Sequence, residues 1–519
     1  MSIVLNIMSI TLDNGDVLTK RQQFHYIIAV FGLFLLAVGL PTSKFVSSVG
    51  GIMLGINWLI EGDWRRKWLI LKSDRHLWLL LVLYLVFVWG LIQSSPQSDG
   101  MRLLGTKVPM LYIPLVVATT RIKFSHIRML TEFYAYMVAL TTLLSWYNLL
   151  FSDREIRNIY PFCKHISHGI QMCVGCIICF SFRHKRIYNS KKHNNILLVV
   201  GFYLIVCMIA FAKYTALAAG LITLMVWLTY FVYKKCSLKI KIGFPIVIML
   251  IISVVGLGLR RSISNYFTPR FDAEAVHKQF TSRGNPYTFD TNTIVENGQY
   301  VGVYVCDEEL AQAWPEKSQK PYNEVYKTLI RFLNSKGDYK DYDAVVALSD
   351  EEVSDIENGI ANIKYKSFLS RLYVTFFEFT NQQDVEEKSM MKRLYCWRLA
   401  GRLIAERPLL GYGNGTTSKI FQSEQMKNPN IKSPLVVPHQ QYLEDAMTFG
   451  IPVALIILFV YITLIYKGIK EDNPLLTLTL LMLLLTLFVE GNNYQAATIL
   501  FAIVTTVFSY YNMTSKSGE

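Results

Sequence analysis

The feature that most constrains this chain is the placement of its charge. Arg260 to Pro438 is the one long hydrophilic stretch, and its 23 Lys and Arg cancel its 23 Asp and Glu. The whole formal charge of +14 therefore lies elsewhere: of 52 basic and 38 acidic residues, 29 and 15 remain, in short clusters between apolar runs. A nucleic-acid surface concentrates basic residues on a folded polar domain. Basic clusters that cap hydrophobic segments are what a chain threaded repeatedly through a bilayer requires. With 52% hydrophobic and 17% charged residues, the chain reads as an all-α polytopic membrane protein, and nucleic acid is excluded as a partner.

A span needs about 20 predominantly apolar residues, fewer where flanking side chains snorkel. Twelve runs qualify: Tyr26–Leu40, Phe45–Ile60, Leu77–Ile92, Val108–Thr119, Phe133–Phe151, Gly169–Phe182, Ile196–Phe211, Thr215–Tyr233, Gly243–Leu259, Gly450–Tyr466, Leu475–Val489 and Ala496–Tyr511. The expected organisation is an N-terminal bundle of about nine helices over 1–259, a large outer loop over 260–438, and a C-terminal bundle of about three helices over 439–519. With the amino terminus inside, the inner connections carry 22 Lys and Arg and the short outer ones seven, a strong positive-inside bias. Both termini are expected in the cytoplasm and residues 260–438 outside. The first twenty residues lack a basic start and a sustained apolar core, so the first span is expected to serve as its own insertion signal.

Cys173, Cys176 and Cys179 recur every three residues, but they lie in an apolar run with no companion ligand pair. Small packing residues at a helix contact are the simpler reading. Cys306 and Cys396 fall inside the outer loop, where one disulfide is possible.

Within that loop, Ser349 followed by Asp350, Glu351 and Glu352 predicts a helix start with acids in its first turn. From Met390, Leu394, Trp397, Leu399, Leu403 and Ile404 recur at helical spacing beside Arg393, Arg398, Arg402 and Arg407, and Pro408 ends the pattern. Gly411, Gly413 and Gly415 follow. Such a run permits either close approach of backbone amides to an anion or sugar, or a simple turn. Next, Pro438 and His439 stand at the mouth of a membrane helix, followed by Gln440 and Tyr442. A further cation, Lys213, follows Ile209-Ala210-Phe211-Ala212 on the outer side, where charge marks a functional site or a turn between helices.

These residue types suit one chemistry on an anionic lipid. Arg393 offers bidentate contacts to a pyrophosphate and Lys213 a compact point charge. His439 has the intrinsic basicity to take a proton from a sugar hydroxyl. No carboxylate pair accompanies them, so no metal or other cofactor is expected.

Arg393-Leu-Tyr-Cys-Trp397, then Glu406-Arg-Pro-Leu-Leu-Gly-Tyr-Gly-Asn-Gly415, resembles the Arg-x-x-x-Trp and Pro-Leu-x-Gly-x-Gly segment of the O-antigen ligase family. His439-Gln-Gln-Tyr442-Leu443 with Phe449-Gly450-Ile451 is similar to its His-Asn-x-Tyr-Leu and Gly-Ile motif. Tyr287–Asp290, Glu296–Gly298 through Cys306, and Glu490 with Gln495 resemble the Bacteroidetes-type subset. The sequence departs where Lys213 replaces an arginine, Gln440 an asparagine, and Lys388-Ser389 a His-Ser. The resemblance implies a metal-independent, membrane-embedded (GT-C-like) glycosyltransferase of the inner membrane with a periplasmic loop. It moves a glycan en bloc from undecaprenyl pyrophosphate to lipid A-core or another acceptor. It implies His439 and Arg393 as catalytic, with Lys213, Arg398, Gly411, Gly413, Gly415, Gln440 and Tyr442 binding pyrophosphate or glycan. A polysaccharide polymerase shares donor, topology and motifs and stays open as the alternative. A flippase or transporter is the minor one, since no internal repeat is evident and the loop is long.

Overall fold

The computed structural model describes the chain except residues 1–9, 13–14, 74, 96–98, 153–157, 185–189, 270–277, 364–388, 429–430, 432–433 and 489–519. The apolar run Ala496–Tyr511, Glu490, Gln495 and Lys388 lie outside the described residues. The chain divides into two compact units, Met1–Phe231 with Lys392–Glu519, and Val232–Met391.

The first unit is a helix bundle. Its helices are α1 (Lys20–Thr42), α2 (Lys44–Glu61), α3 (Trp64–Ser73), α4 (Arg75–Ile92), α5 (Gly100–Thr119), α6 (Phe124–Phe151), α7 (His165–His184), α8 (Lys191–Ala210) and α9 (Tyr214–Lys235), the last running across the boundary. The second unit begins with α10 (Leu238–Phe267). A β-hairpin follows, β1 (Thr288–Glu296) antiparallel to β2 (Gln299–Val305), then α11 (Asp307–Lys317), α12 (Tyr322–Lys336), α13 (Tyr342–Val346) and α14 (Asp350–Glu357). The chain returns to the bundle through α15 (Ser389–Glu406), α16 (Thr416–Met426), α17 (Gln441–Phe449), α18 (Ile451–Lys470) and α19 (Pro474–Thr486).

Among the described residues, seven helices are long and apolar enough to cross a membrane: α1, α5, α7, α8, α9, α10 and α18. The pair α2–α3, bent by 114°, makes up to eight. The difference from about twelve has local causes. The run Phe133–Phe151 lies in α6, whose apolar character is diluted by buried Glu132, Thr141, Thr142, Ser145 and Asn148. The runs Leu77–Ile92 and Leu475–Val489 fall on the shorter apolar helices Leu81–Ile92 and Pro474–Thr486. The protein is a mostly helical, multi-pass membrane protein.

The helix ends of the first unit sort into two sets. At one end Trp58 Nε1 donates to Thr119 Oγ1 (2.6 Å) and Arg66 Nη1 to the Thr119 carbonyl (2.8 Å), joining the end of α2 and the start of α3 to the end of α5. Tyr26 meets His126 there at 2.6 Å, and Arg121 pairs with Asp63 at 2.9 Å. At the other end Tyr160 donates to the Pro41 carbonyl, Gln171 Nε2 to the Leu40 carbonyl (3.1 Å), and Asn148 Nδ2 to the Ile159 carbonyl (2.7 Å). The turn from α4 to α5 lies at this second end, because α5 runs parallel to α2, with Tyr112 against Gly51 and Gly55 and Thr119 against Trp58. Alternation of the apolar runs groups the same ends, and the clustered basic residues sit on the first.

The cysteine triplet packs as small residues do. Cys173 lies against Gly220, Gly169 against Ala216, and the Cys176 thiol reaches the Gly201 carbonyl at 3.4 Å. The second unit has its own core around Trp314, Leu329, Phe332, Leu333 and Ile356. Ser349 caps α14 with a full capping box to Glu352, and Lys336 pairs with Glu352 at 3.0 Å, so the acid-rich stretch is a helix start. Cys306 and Cys396 are both buried free thiols.

Candidate functional site

The arginine-bearing helix forms where the 3.6-residue stripe predicts it. In α15, Cys396, Leu399, Ala400 and Leu403 are buried against Phe421 of α16, Met447 of α17 and Tyr412. One turn after Arg393, Trp397 Nε1 donates to the carbonyl of Pro438 at 3.0 Å. That bond ties the face of α15 carrying Arg393 to the residue immediately before His439.

His439 itself adopts φ +53°, a left-handed conformation that costs an ordinary side chain about 1–2 kcal/mol. The surroundings hold it there. Pro438 is buried, and Gln440, as N-cap of α17, accepts from the Leu443 amide at 2.6 Å. The Gln441 amide donates to the Leu487 carbonyl (2.9 Å), and the Tyr442 hydroxyl donates to the Leu484 carbonyl (2.7 Å). Both acceptors lie at the end of α19. A constrained outlier at a helix mouth makes His439 a candidate functional position. The bonds seen for Gln440 and Tyr442 build the support for His439: the glutamine amide does the capping work for which Asn is better known.

The glycine run closes against protein backbone. Gly411, Gly413 and Gly415 have φ of +69°, +83° and +74°. A Cβ on Gly411 would lie 2.5 Å from the Thr448 carbonyl, and on Gly413 2.6 Å from the Gln93 carbonyl carbon. On Gly415 it would lie 2.8 Å from the Asp99 amide. The amides donate inward: Gly411 to Arg407, Tyr412 to Met447, Gly413 to Thr448 and Asn414 to Gly90. Asn414 Nδ2 adds a bond to the Phe87 carbonyl at 2.6 Å, and Ser94 Oγ donates to the Asn414 carbonyl at 2.7 Å. The close approach that these glycines allow is thus a clasp joining the α4–α5 turn to the end of α17. It fixes the helix mouth at the same end of the bundle as Pro41 and Tyr160.

The basic residues differ in their partners. Arg66 pairs with Asp63 at 2.7 Å, Lys67 with Glu61 at 2.9 Å and Arg402 with Glu424 at 3.0 Å, while Arg407 lies over the Tyr412 ring at 4.9 Å. Arg393 is half-buried and meets no carboxylate among the described residues; Arg398 is exposed. Lys213 is 2% exposed and likewise meets no carboxylate among them. It sits in the turn between α8 and α9, after Ala212 at φ +50°, with its side chain laid along Gly169 and its Nζ 2.9 Å from His165 Nδ1. Burial pushes its ammonium down to about 8. Lys213, Arg393 and His439 belong to the same unit.

Sequence reasoning passed over three charged groups beside α17. Lys107 of α5 is buried over the Phe87 ring (5.5 Å) and faces Glu444 and Asp445. Asp445 accepts from Gln441 Nε2 at 2.7 Å. Glu444 Oε2 is buried without a hydrogen-bond partner among the described residues. Burial, then the Asp445 charge, raise its carboxyl to about 8 against the opposing pull of Lys107. Glu444 and Asp445 directly follow the His439 motif, but nothing in their spacing indicates that a cation from α5 lies opposite. His165, one helix away from Lys213, carried no sequence signal at all.

The class these features define is a mostly helical, multi-pass membrane protein. Residues 345–458 match the family model described as O-Antigen ligase, which supports the O-antigen ligase family, an enzyme family of ligase and polymerase type. The match spans α14 through the first half of α18, and includes Arg393, the glycine clasp and His439. A comparison with curated proteins found no match.

Proposed function

We propose that this protein is an O-antigen ligase-like glycosyltransferase that moves a glycan en bloc from undecaprenyl pyrophosphate to lipid A-core. The observation that carries the reading is the company of His439. Two cations at its end of the bundle, half-buried Arg393 and buried Lys213, face no carboxylate among the described residues, whereas Arg66, Lys67 and Arg402 do. A buried charge without a counterion is costly, and an anionic substrate supplies the missing partner. Arg393 then grips the pyrophosphate through its planar fork, with Lys213 as the second positive charge. Gln440 and Tyr442 hold the loop that presents His439. Gly411, Gly413 and Gly415 clasp the turn that leads into α16, and Arg398 on α15 is exposed.

In the reaction, an acceptor hydroxyl attacks the anomeric carbon of the lipid-linked sugar. The new C–O glycosidic bond forms as the anomeric C–O bond to pyrophosphate breaks. The hydroxyl proton passes to the His439 imidazole, and undecaprenyl pyrophosphate leaves with its added negative charge stabilised by the two cations. None of these steps requires a metal. The same reading makes the chain a GT-C-like enzyme of about twelve spans in the bacterial inner membrane, with cytoplasmic termini and residues 260–438 on the periplasmic side.

The test is His439→Asn in the full chain, reconstituted with undecaprenyl-pyrophosphate glycan and lipid A-core. Asn tolerates the left-handed backbone, so the protein is expected to melt with the parent while transfer falls roughly 10²–10⁴-fold. Transfer at the parental rate removes His439 from the chemistry and the reading with it.

A further inference from the structure

We propose that His165 is a positioning residue which, as a neutral imidazole, aims the Lys213 ammonium and keeps it charged for an incoming pyrophosphate. The inference rests on the proposed donor-binding role of Lys213. It goes beyond that role by naming the group that makes a buried lysine usable there.

The argument starts from the donors. An ammonium has protons to give and no lone pair, so at 2.9 Å from Lys213 Nζ, His165 Nδ1 is the acceptor. The ring proton then resides on Nε2, which faces the Ala212 carbonyl at 3.4 Å. One imidazole thus accepts from Lys213 and points its N–H at the residue before it, and it does both only when neutral. The seat is built for this pair. Gly169, one turn after His165 on the same face of α7, offers no side chain; its Cβ would come within 3.2 Å of Lys213 Cβ and 3.6 Å of its Cδ. The lysine stem therefore lies flat on the helix and brings its head back to His165.

The other groups around Lys213 offer no competing explanation. His168 of α7, fully buried and stacked on Tyr160 at 3.7 Å, has no bond from either ring nitrogen to a described residue. Cys163, in the segment before α7, is held up to about 12 by burial despite Lys213 and Lys44, and Tyr160 is likewise raised by burial. Neither becomes an anion near neutral pH. Lys213 thus keeps its charge against desolvation with the help of a neutral acceptor, and its electrostatic demand stays open for an anion. A carboxylate in place of His165 would satisfy the ammonium and close the site.

The experiment measures binding of inorganic pyrophosphate to the purified full chain by titration calorimetry between pH 6.5 and 9.5, apart from any transfer assay. The parent should lose affinity as pH rises through about 8, where Lys213 gives up its proton. His165→Ala should move that loss to lower pH, because the free ammonium loses its acceptor. His165→Asn, which returns an acceptor oxygen at nearly the place of Nδ1, should restore it. Lys213→Arg should abolish the loss attributable to Lys213; what remains in that variant belongs to the pyrophosphate's own protons and to groups such as Glu444, which also titrates near 8. An alkaline limb unmoved in His165→Ala, or an Asn variant no better than Ala, overturns the inference while leaving pyrophosphate binding intact. Absence of pyrophosphate binding in the parent, or undiminished binding in Lys213→Met, overturns the donor role of Lys213 and this inference together.

Discussion

The glycine run separates a structural from a ligand-binding reading most cleanly, through Gly413→Ala. At φ +83° an alanine costs about 1–2 kcal/mol for its left-handed backbone alone. Its Cβ would also lie 2.6 Å from the Gln93 carbonyl carbon and from the Ser94 amide, both backbone atoms that no side-chain rotation relieves. The α4–α5 turn must then withdraw. The bonds at risk are Gly413 N to the Thr448 carbonyl and Asn414 N to the Gly90 carbonyl, both 2.9 Å. At about 1 kcal/mol each, their loss brings the total to roughly 3–4 kcal/mol. Thermal unfolding of the full chain in nanodiscs, followed by intrinsic fluorescence, should show a midpoint several degrees below the parent. Pyrophosphate affinity of the protein that remains folded at low temperature should be close to parental, because the Gly413 amide already has a protein acceptor. A variant that melts with the parent but loses anion affinity would refute the clasp and restore the glycines as ligand donors.

Two further substitutions test the charged groups. Arg393→Lys removes a bidentate contact worth about 1.5–3 kcal/mol, so donor affinity should fall roughly ten- to a hundredfold. Arg402→Lys, which alters only an exposed pair with Glu424, should leave it unchanged; equal effects of the two would make Arg393 structural. Glu444→Gln should change how stability depends on pH. With its folded carboxyl raised to about 8, Glu444 binds a proton more readily in the folded than in the unfolded chain. Its contribution is therefore fully present below the unfolded carboxyl value and is lost as pH climbs toward 8. The Gln variant, a fixed mimic of the protonated acid, should gain melting temperature over the parent progressively between pH 5 and pH 8.5. A constant offset across that window would show that Glu444 is ionised throughout.

What the sequence made legible was whatever depends on period and punctuation. The α15 stripe, its stop before Pro408 and the Ser349 cap follow from local chemistry, and each appears where the residues place it. The helix mouth at Gly450 was legible for the same reason, as was the packing role of the three cysteines. The number of spans was less so: a helix such as α6, which turns polar groups inward, does not stand out by composition, and one of the twelve runs lies outside the described residues. The glycine run shows a second limit. Sequence reports that a backbone needs φ > 0 or close approach, but not whether the approaching atom belongs to a ligand or to Gln93, Asp99 and Thr448.

The deepest limit concerns partners, and it bears on how functional cations are recognised. In the sequence, Arg393, Arg398, Arg402 and Arg407 are four equivalent charges on one helix and its end. The fold differentiates them: Arg402 meets Glu424, Arg407 lies on Tyr412, Arg398 faces outward, and Arg393 alone of the four combines partial burial with the absence of a carboxylate among the described residues. Lys213 and Lys107 divide in the same way, one buried against neutral groups and the other facing Glu444 and Asp445. A cation balanced by carboxylates has its electrostatic demand met within the fold; one buried among neutral acceptors does not, and the cost of leaving it so persists unless a ligand returns it. Exchanging the environments tests that logic directly. His165→Glu would give Lys213 an internal counterion, so pyrophosphate affinity should fall at least tenfold even though the lysine is intact and more firmly protonated. Undiminished affinity in that variant would show that partner chemistry does not distinguish the two lysines.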